Sequence, residues 1–289
     1  VSLNEQLAGM KSLAYHQEGQ VAHLQFNRPE ALNTFNRDFW SEWPAALRTI
    51  GASGEIRALV VSSTGKHFTA GMDLEVFAGL NGPEFQLEAS RRAEMIRRWV
   101  LELQSAFNLL ESLRIPVLAA VQGGCIGGGI DLICAADCRY ATEDAFFTIK
   151  EIDLAITADL GTLQRLPTLM PQGVVRELAF TGRKFSAQEA ARYGFVNQTF
   201  ADQASMMNAV MALAHQMASH SPLAINGIKE MLNYARDHSV DEGLRYAATW
   251  QGGMFHATEV LEAMTAAMEK RAPAYADLQP NQPILTKNQ

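Results

Sequence analysis

The sequence predicts an α/β fold that gives way to an all-helical C-terminal region, and three observations carry that expectation. Short apolar runs alternate with segments of helical periodicity as far as Phe195-Val196-Asn197, the pattern of strand and helix units around a parallel sheet. From Ala201 onward only helical periodicities remain. A chain of 289 residues that is 48% hydrophobic and 19% charged carries enough apolar material for a large buried core. The expected division is an α/β core over residues 1–200 and a helical region over residues 201–289 that packs on a neighbouring subunit or caps the sheet.

Each element follows from its local pattern. Residues 12–16 and 21–26 flank the turn signal Glu18-Gly19 and read as a hairpin. Asn27-Arg28-Pro29 ends the second run, after which Phe39, Trp40, Trp43, Leu47 and Ile50 recur at helical spacing. Residues 57–62 form a buried strand, while the Gly-bearing stretch 64–74 fits neither period. Over 84–113, Met95, Ile96, Trp99, Val100, Leu103, Phe107 and Leu110 step by threes and fours, the apolar stripe of a long amphipathic helix. Residues 116–121 are an apolar strand that runs straight into Gln122-Gly123-Gly124-Cys125-Ile126-Gly127-Gly128-Gly129-Ile130-Asp131-Leu132, the last part of which opens a helix. Strands over 139–141 and 146–149 precede a turn at Asp159-Leu160-Gly161 and helices over 174–180 and 187–193. Residues 207–217, 222–234, 240–250 and 258–268 are helical, and the tail after Arg271, with three prolines, is an extended surface segment.

Charge and composition narrow the function. Twenty-four Lys and Arg against 31 Asp and Glu give −7 with no basic block, which argues against nucleic acid as a partner. No apolar run approaches the roughly 20 residues of a membrane-spanning helix. The first residues show neither a secretory nor a transit pattern and the last are not Ser-Lys-Leu, so the expectation is a cytoplasmic protein with no membrane partner. Cys125, Cys134 and Cys138 support neither a disulfide framework nor a zinc ribbon and read as small core residues. The methionines Met206, Met207, Met211 and Met217 read as helix packing, and His67, beside the irregular loop, reads more readily as structural than as a ligand-binding residue.

The glycine cluster at 123–129 fits neither a dinucleotide fingerprint nor a P-loop. What remains is a tight strand-to-helix turn whose N–H groups lack partners, either an oxyanion hole or simply close helix–strand packing. The second signal is carboxylates in apolar surroundings: Asp131 beside Ile130 and Leu132, Glu151 after Phe146-Phe147-Thr148-Ile149-Lys150, and Asp159 before Leu160. Should the three converge, desolvation and mutual repulsion raise at least one pKa, the condition a proton-shuttling enzyme needs. In the alternative, Asp131 pairs within its helix, Glu151 pairs with Lys150 or Arg165, and Asp159 is a helix N-cap.

Four motifs in order, Asn27-Arg28-Pro29-Glu30-Ala31-Leu32-Asn33, His67-Phe68-Thr69-Ala70-Gly71-Met72-Asp73-Leu74, Gly127-Gly128-Gly129-Ile130-Asp131-Leu132 and Gly161-Thr162-Leu163-Gln164-Arg165-Leu166-Pro167, resemble the crotonase (enoyl-CoA hydratase/isomerase) superfamily over residues 10 to 272. The resemblance implies a crotonase-like spiral of ββα units, a helical C-terminal trimerisation region in a homotrimer or homohexamer, acyl-CoA thioester substrates, no metal and no cofactor beyond the substrate's own coenzyme A. It implies an oxyanion hole from the N–H groups of Met72 and Gly128. Arg28, Ala31, Lys66, Ala70 and Asp73 become candidates for coenzyme A binding, with Lys270 or Arg271 reaching its phosphates from a neighbouring subunit.

Hydratases of this family usually carry Glu at the position of Asp131 and Gly-rich sequence where Asp159 stands. The triple Asp131, Glu151, Asp159 instead looks like the Δ3,5-Δ2,4-dienoyl-CoA isomerase branch, which acts in fatty acid β-oxidation. That resemblance implies Glu151 taking a proton at C2, Asp159 delivering one at C6, and Asp131 orienting or tuning the pair. A 2-enoyl-CoA hydratase or a 3-to-2-enoyl-CoA isomerase is the alternative, in which Asp159 is dispensable; a non-catalytic RNA-binding scaffold is opposed by the intact acids and the acidic balance.

Overall fold

A computed structural model of the chain describes residues 2–79, 82 and 85–281. After a single turn, α1 (Leu3–Gln6), the expected hairpin forms from β1 (Leu13–Glu18) and β2 (Val21–Phe26), paired antiparallel around Gly19, whose φ of 58° the turn requires. Helix α2 (Arg37–Ser53) starts where the Asn36 side chain accepts from the Phe39 N–H and stops at Gly54, φ 78°. Strand β3 (Ala58–Ser63), the short α3 (Leu74–Ala78) and α4 (Ala89–Ser112) follow. The long helix was expected from Glu84, which lies outside the described residues; it begins at Ala89 because the Glu88 carboxylate accepts from the N–H groups of Ser90 and Arg91 and caps it.

The next segment winds in repeated units. Strand β4 (Val117–Val121) passes through a tight turn into β5 (Gly124–Ile126) and then α5 (Gly128–Cys134). Strand β6 (Cys138–Thr142) passes into β7 (Phe146–Thr148), a 3-10 turn at Glu151–Leu154, then α6 (Thr162–Leu169) and α7 (Gln172–Thr181). Strand β8 (Phe185–Ser186), α8 (Ala187–Arg192) and β9 (Gln198–Phe200) complete it. The β4-β5-α5 and β6-β7-α6 turns of the spiral each give one strand to each of two sheets: a six-stranded sheet ordered β1-β2-β3-β4-β6-β9, parallel from β2 onward, and a three-stranded sheet ordered β5-β7-β8.

One face of the large sheet carries the main core, where Phe26 meets the rings of Phe35, Phe39, Trp43 and Phe68. The other face, Val21, Ala58, Val60, Leu118 and Ala120, is covered by α9 (Gln203–Ala218) through Met206, Val210 and Ala214, with Met207, Met211 and Met217 at the margin. The methionine run is helix packing, and Cys125 and Cys134 are buried with thiols that burial holds above their ordinary titration range. Helices α10 (Pro222–Asp237), α11 (Val240–Met254) and α12 (Ala257–Glu269) close the chain. The segment 272–281 is extended as expected but firmly held: Arg57 donates to Asp277 Oδ1 and to the Tyr275 carbonyl, Leu278 is buried, and the Asn281 N–H donates to Ala52 O.

Candidate active site

Two irregular loops are laced together to make one wall. Leu32 and Asn33 both adopt positive φ (53°), which turns the Asn33 side chain inward, where it donates to the carbonyls of Thr64 (2.8 Å) and His67 (3.0 Å) and accepts from the Arg28 N–H. Thr69 is buried; its hydroxyl donates to Asn33 O and accepts from the Gly71 N–H. These bonds explain why 64–74 fits neither period. The loop forms isolated bridges, Phe35 with Met72 and Thr69 with Cys125, that tie it to the start of α2 on one side and to β5 on the other.

The glycines of both loops allow the close approach. Gly71 has φ +84°, and a methyl there would lie 2.7 Å from Ile126 O and 3.3 Å from the Gly128 nitrogen; a methyl on Gly128 would lie 4.0 Å from the Met72 nitrogen. The Met72 and Gly128 amides therefore sit side by side across the junction. Among the described residues neither donates to a backbone carbonyl, whereas the flanking Phe35, Asp73, Ile126 and Gly127 amides all do. Gly129 serves packing instead, since a methyl there would meet Thr69 Cγ2 at 2.5 Å. The glycine cluster thus provides close helix–strand packing at Gly129 and, at Gly128, an amide set beside that of Met72.

The carboxylates gather at the same junction. A methyl on Gly127 would lie 3.3 Å from Glu151 Oε1, so the Glu151 carboxyl lies over the turn that opens α5, and its Oε2 is buried with no hydrogen-bond partner among the described residues. Burial raises this carboxyl from 4.5 to about 7, and the charges of Asp131 and then Asp159 push the same way. Asp131 is 1% exposed and accepts from the Thr162 N–H at 2.6 Å; burial lifts it from 3.8 to about 6 despite that bond, with Asp159 adding to the rise. Asp159, on the exposed segment before α6, is raised mainly by partial burial. The three acids lie within electrostatic reach of one another, with Glu151 and Asp131 pushed up toward neutrality and Asp159 raised as well.

The particular pairings of the purely structural alternative are not the ones found. The first amide of α6 is capped by Asp131, not Asp159; Lys150 pairs with Asp153; and Arg165 pairs with Glu111 rather than with Glu151. His67 is structural: its Nδ1 accepts from the Gly124 N–H at 2.9 Å. Of the residues considered for coenzyme A, Arg28, Ala31, Ala70 and Asp73 lie on the two laced loops, with Arg28 and Asp73 3.6 Å apart and sharing Thr34, and Lys66 stands exposed on the same loop. Arg271 is committed within its chain to Glu262 and Glu269. Sequence reasoning passed over Thr69, whose hydroxyl joins the two loops, and Gln104 on α4, which donates to Asp159 O at 2.6 Å. Among the described residues no cluster of three or more His, Cys, Asp or Glu side chains is arranged to hold a metal ion, and no helix is long and apolar enough to cross a membrane.

Known proteins share this arrangement of chain. Residues 16–279 match the enoyl-CoA hydratase/isomerase family. The chain is 46% identical over 253 residues to the mitochondrial Delta(3,5)-Delta(2,4)-dienoyl-CoA isomerase of Mus musculus, covering 87% of this chain and 77% of that protein. It is 42% identical over 262 residues to the peroxisomal enzyme of that name from Arabidopsis thaliana, covering 90% of this chain and 94% of the relative. The crystal structure of an enoyl-CoA hydratase from Bacillus anthracis superposes with a TM-score of 0.83 at 30% identity, over 92% of this chain and 99% of that one. With the motifs, the spiral of ββα units and these relatives in agreement over nearly the whole length, the chain belongs to the enoyl-CoA hydratase/isomerase family.

Proposed function

We propose that this protein is a Δ3,5-Δ2,4-dienoyl-CoA isomerase, converting a 3,5-dienoyl-CoA to its 2,4-dienoyl isomer, a step of fatty acid β-oxidation. The observation that carries the reading is the third acid: Asp159 shares the electrostatic neighbourhood of Glu151 and Asp131, at a site whose paired amides suit a developing oxyanion. The relatives of 46% and 42% identity that bear this name support it.

In this reading the Glu151 carboxylate removes a proton from C2 and becomes the acid. The electron pair moves onto the thioester oxygen and along the conjugated chain as a dienolate, held by the N–H groups of Met72 and Gly128. Such fixed donors are worth about 3–4 kcal/mol each in comparable sites. Protonated Asp159 gives its proton to C6, the double bonds settle at positions 2 and 4, and solvent carries a proton from Glu151 back to Asp159. A base titrating at about 7 suits the first step, because it is substantially ionised at neutral pH yet strong enough to take a carbon-bound proton. Asp131, bonded to the first amide of α6, orients the segment that bears Asp159.

Coenzyme A binding falls to the two laced loops through Arg28, Ala31, Lys66, Ala70 and Asp73. Lys270, rather than the committed Arg271, meets its phosphates from a neighbouring subunit. That subunit packs on the C-terminal helices, whose exposed Leu232, Val240, Leu244, Leu261, Met264 and Met268 support a homotrimer or a dimer of trimers.

The test supplies purified protein with a 3,5-dienoyl-CoA and, separately, a 2-enoyl-CoA, following the absorbance of each thioester. The expected result is rapid appearance of the 2,4-dienoyl chromophore, slow hydration, and a loss of at least about 1000-fold in isomerisation for Asp159→Asn. Fast hydration without the dienoyl signal would instead make the protein a hydratase.

A further inference from the structure

Helix α4 presents Gln104, Asn108 and Glu111, at spacings of four and three, as one polar stripe along an otherwise amphipathic helix. Gln104 bonds the segment that carries Asp159, and Asn108 and Glu111 bond Arg165 in the helix that follows it. Gln104 Nε2 donates to Asp159 O at 2.6 Å. Asn108 and Glu111 accept from Arg165, at 2.6 Å for Asn108 and 2.9 Å for each Glu111 oxygen. Arg165 in turn lies over Gly161, where φ is +135° and a methyl would meet its Nη1 at 2.1 Å.

Apart from the Asp131 bond to the Thr162 N–H at its far end, the segment has little else to hold it. Among the described residues, the amides of 157–160 donate to no backbone carbonyl, and the Gln104 bond is the only hydrogen bond received by their carbonyls. Ala158 and Leu160 are buried on either side, which fixes where the segment runs, and Gln104 supplies the one hydrogen bond to the Asp159 peptide carbonyl among the described residues. Rotating that peptide swings the Asp159 side chain, and proton delivery to carbon depends steeply on the donor's position.

We infer that Gln104 is a positioning residue for the isomerase, holding the Asp159 backbone so that its carboxyl meets the distal carbon of the dienolate. The inference rests on the role of Asp159 given above. Gln104 touches no reacting atom; it governs the second proton transfer and not the first.

The experiment gives a 3,5-dienoyl-CoA in deuterium oxide to the intact wild type, Gln104→Met, Gln104→Glu, Asp159→Asn and the Gln104→Met/Asp159→Asn double variant. Product chromophore and deuterium entering C2 of recovered substrate are followed together. For Gln104→Met the expected result is a kcat about tenfold lower with KM nearly unchanged, the scale of one lost hydrogen bond at a positioned acid. The ratio of C2 exchange to product should rise by the same factor. Gln104→Glu, which replaces the donor with an acceptor, should shift the ratio the same way, and Gln104→Met should change nothing further in the Asp159→Asn background. An unchanged ratio, a parallel fall of exchange and product, or additive losses in the double variant would overturn the positioning role while leaving Asp159 in place. Wild-type product formation by Asp159→Asn would overturn the reading of Asp159 and this inference with it.

Discussion

Replacing Glu151 by Gln should stabilise the protein while abolishing its activity, and the stabilisation should grow with pH. Glu151 titrates at about 7 in the folded chain against 4.5 when exposed, because burial and the neighbouring acids oppose its charge. Below 4.5 the carboxyl is protonated in both folded and unfolded states and costs nothing. As pH rises through 4.5 the unfolded chain ionises first, so the folded wild type loses stability progressively until the folded carboxyl ionises at about 7. At about 1.4 kcal/mol per pH unit of displacement, the full loss is about 3 kcal/mol, reached near pH 8, with less than about 1 kcal/mol of it present at pH 5. The neutral amide that replaces the carboxyl in the variant escapes this loss. Urea unfolding of both proteins at one protomer concentration from pH 5 to 8.5 should therefore show the variant gaining about 2–3 kcal/mol on the wild type across that range. In the wild type, kcat/KM for isomerisation should rise with pH along a limb centred at about 7. Unfolding curves that stay parallel at every pH, or an activity limb at the ordinary carboxylate value, would refute the assignment of a buried, charge-opposed base.

Two further substitutions test the frame around the site. Gly71→Ala places a methyl 2.7 Å from the Ile126 carbonyl at a backbone φ of +84°; neither backbone can yield without parting the Met72 and Gly128 amides, so isomerisation should fall by about 100-fold or more with a loss of about 1–3 kcal/mol in stability, read by steady-state kinetics and urea unfolding. Lys229, buried in α10, donates to the carbonyls of Leu110 and Ile115 and to Asp137 Oδ2, all within 2.9 Å. Lys229→Met strands those acceptors and should cost about 3–5 kcal/mol by chemical denaturation, with the 2,4-dienoyl assay of the surviving folded fraction near wild type.

Much of the fold was legible because period and punctuation are local properties. The hairpin at Glu18-Gly19, the strand running into the glycine cluster and the four C-terminal helices all follow from side-chain spacing and turn residues, and all are present. The family motifs drew attention to acids that the fold brings within electrostatic reach of one another, since a carboxylate flanked by Ile130 and Leu132 is conspicuous in one dimension. Element ends were less legible. The start of α4 depends on one Glu88 carboxylate capping two amides, and residues 64–74 owe their shape to Asn33 and Thr69, whose partners are 31 and 36 residues away along the chain.

What each acid bonds to was decided in three dimensions. Asp131, Glu151 and Asp159 each admitted a purely structural account in sequence, and only the folded chain shows that Asp131 takes the cap of α6, that Lys150 and Arg165 are engaged elsewhere, and that Glu151 is left buried with an unpartnered oxygen. Gln104 had no one-dimensional signal beyond a polar position on an amphipathic face, because its partner lies 55 residues further along the chain. The sequence by itself determined the α/β class, the helical C-terminal region and the identity of the chemically able side chains, since hydrophobic period and residue type are written locally. The tertiary structure alone decided burial, pairing and proton affinity, because desolvation and charge coupling depend on which distant segments are brought within a few ångströms of one another.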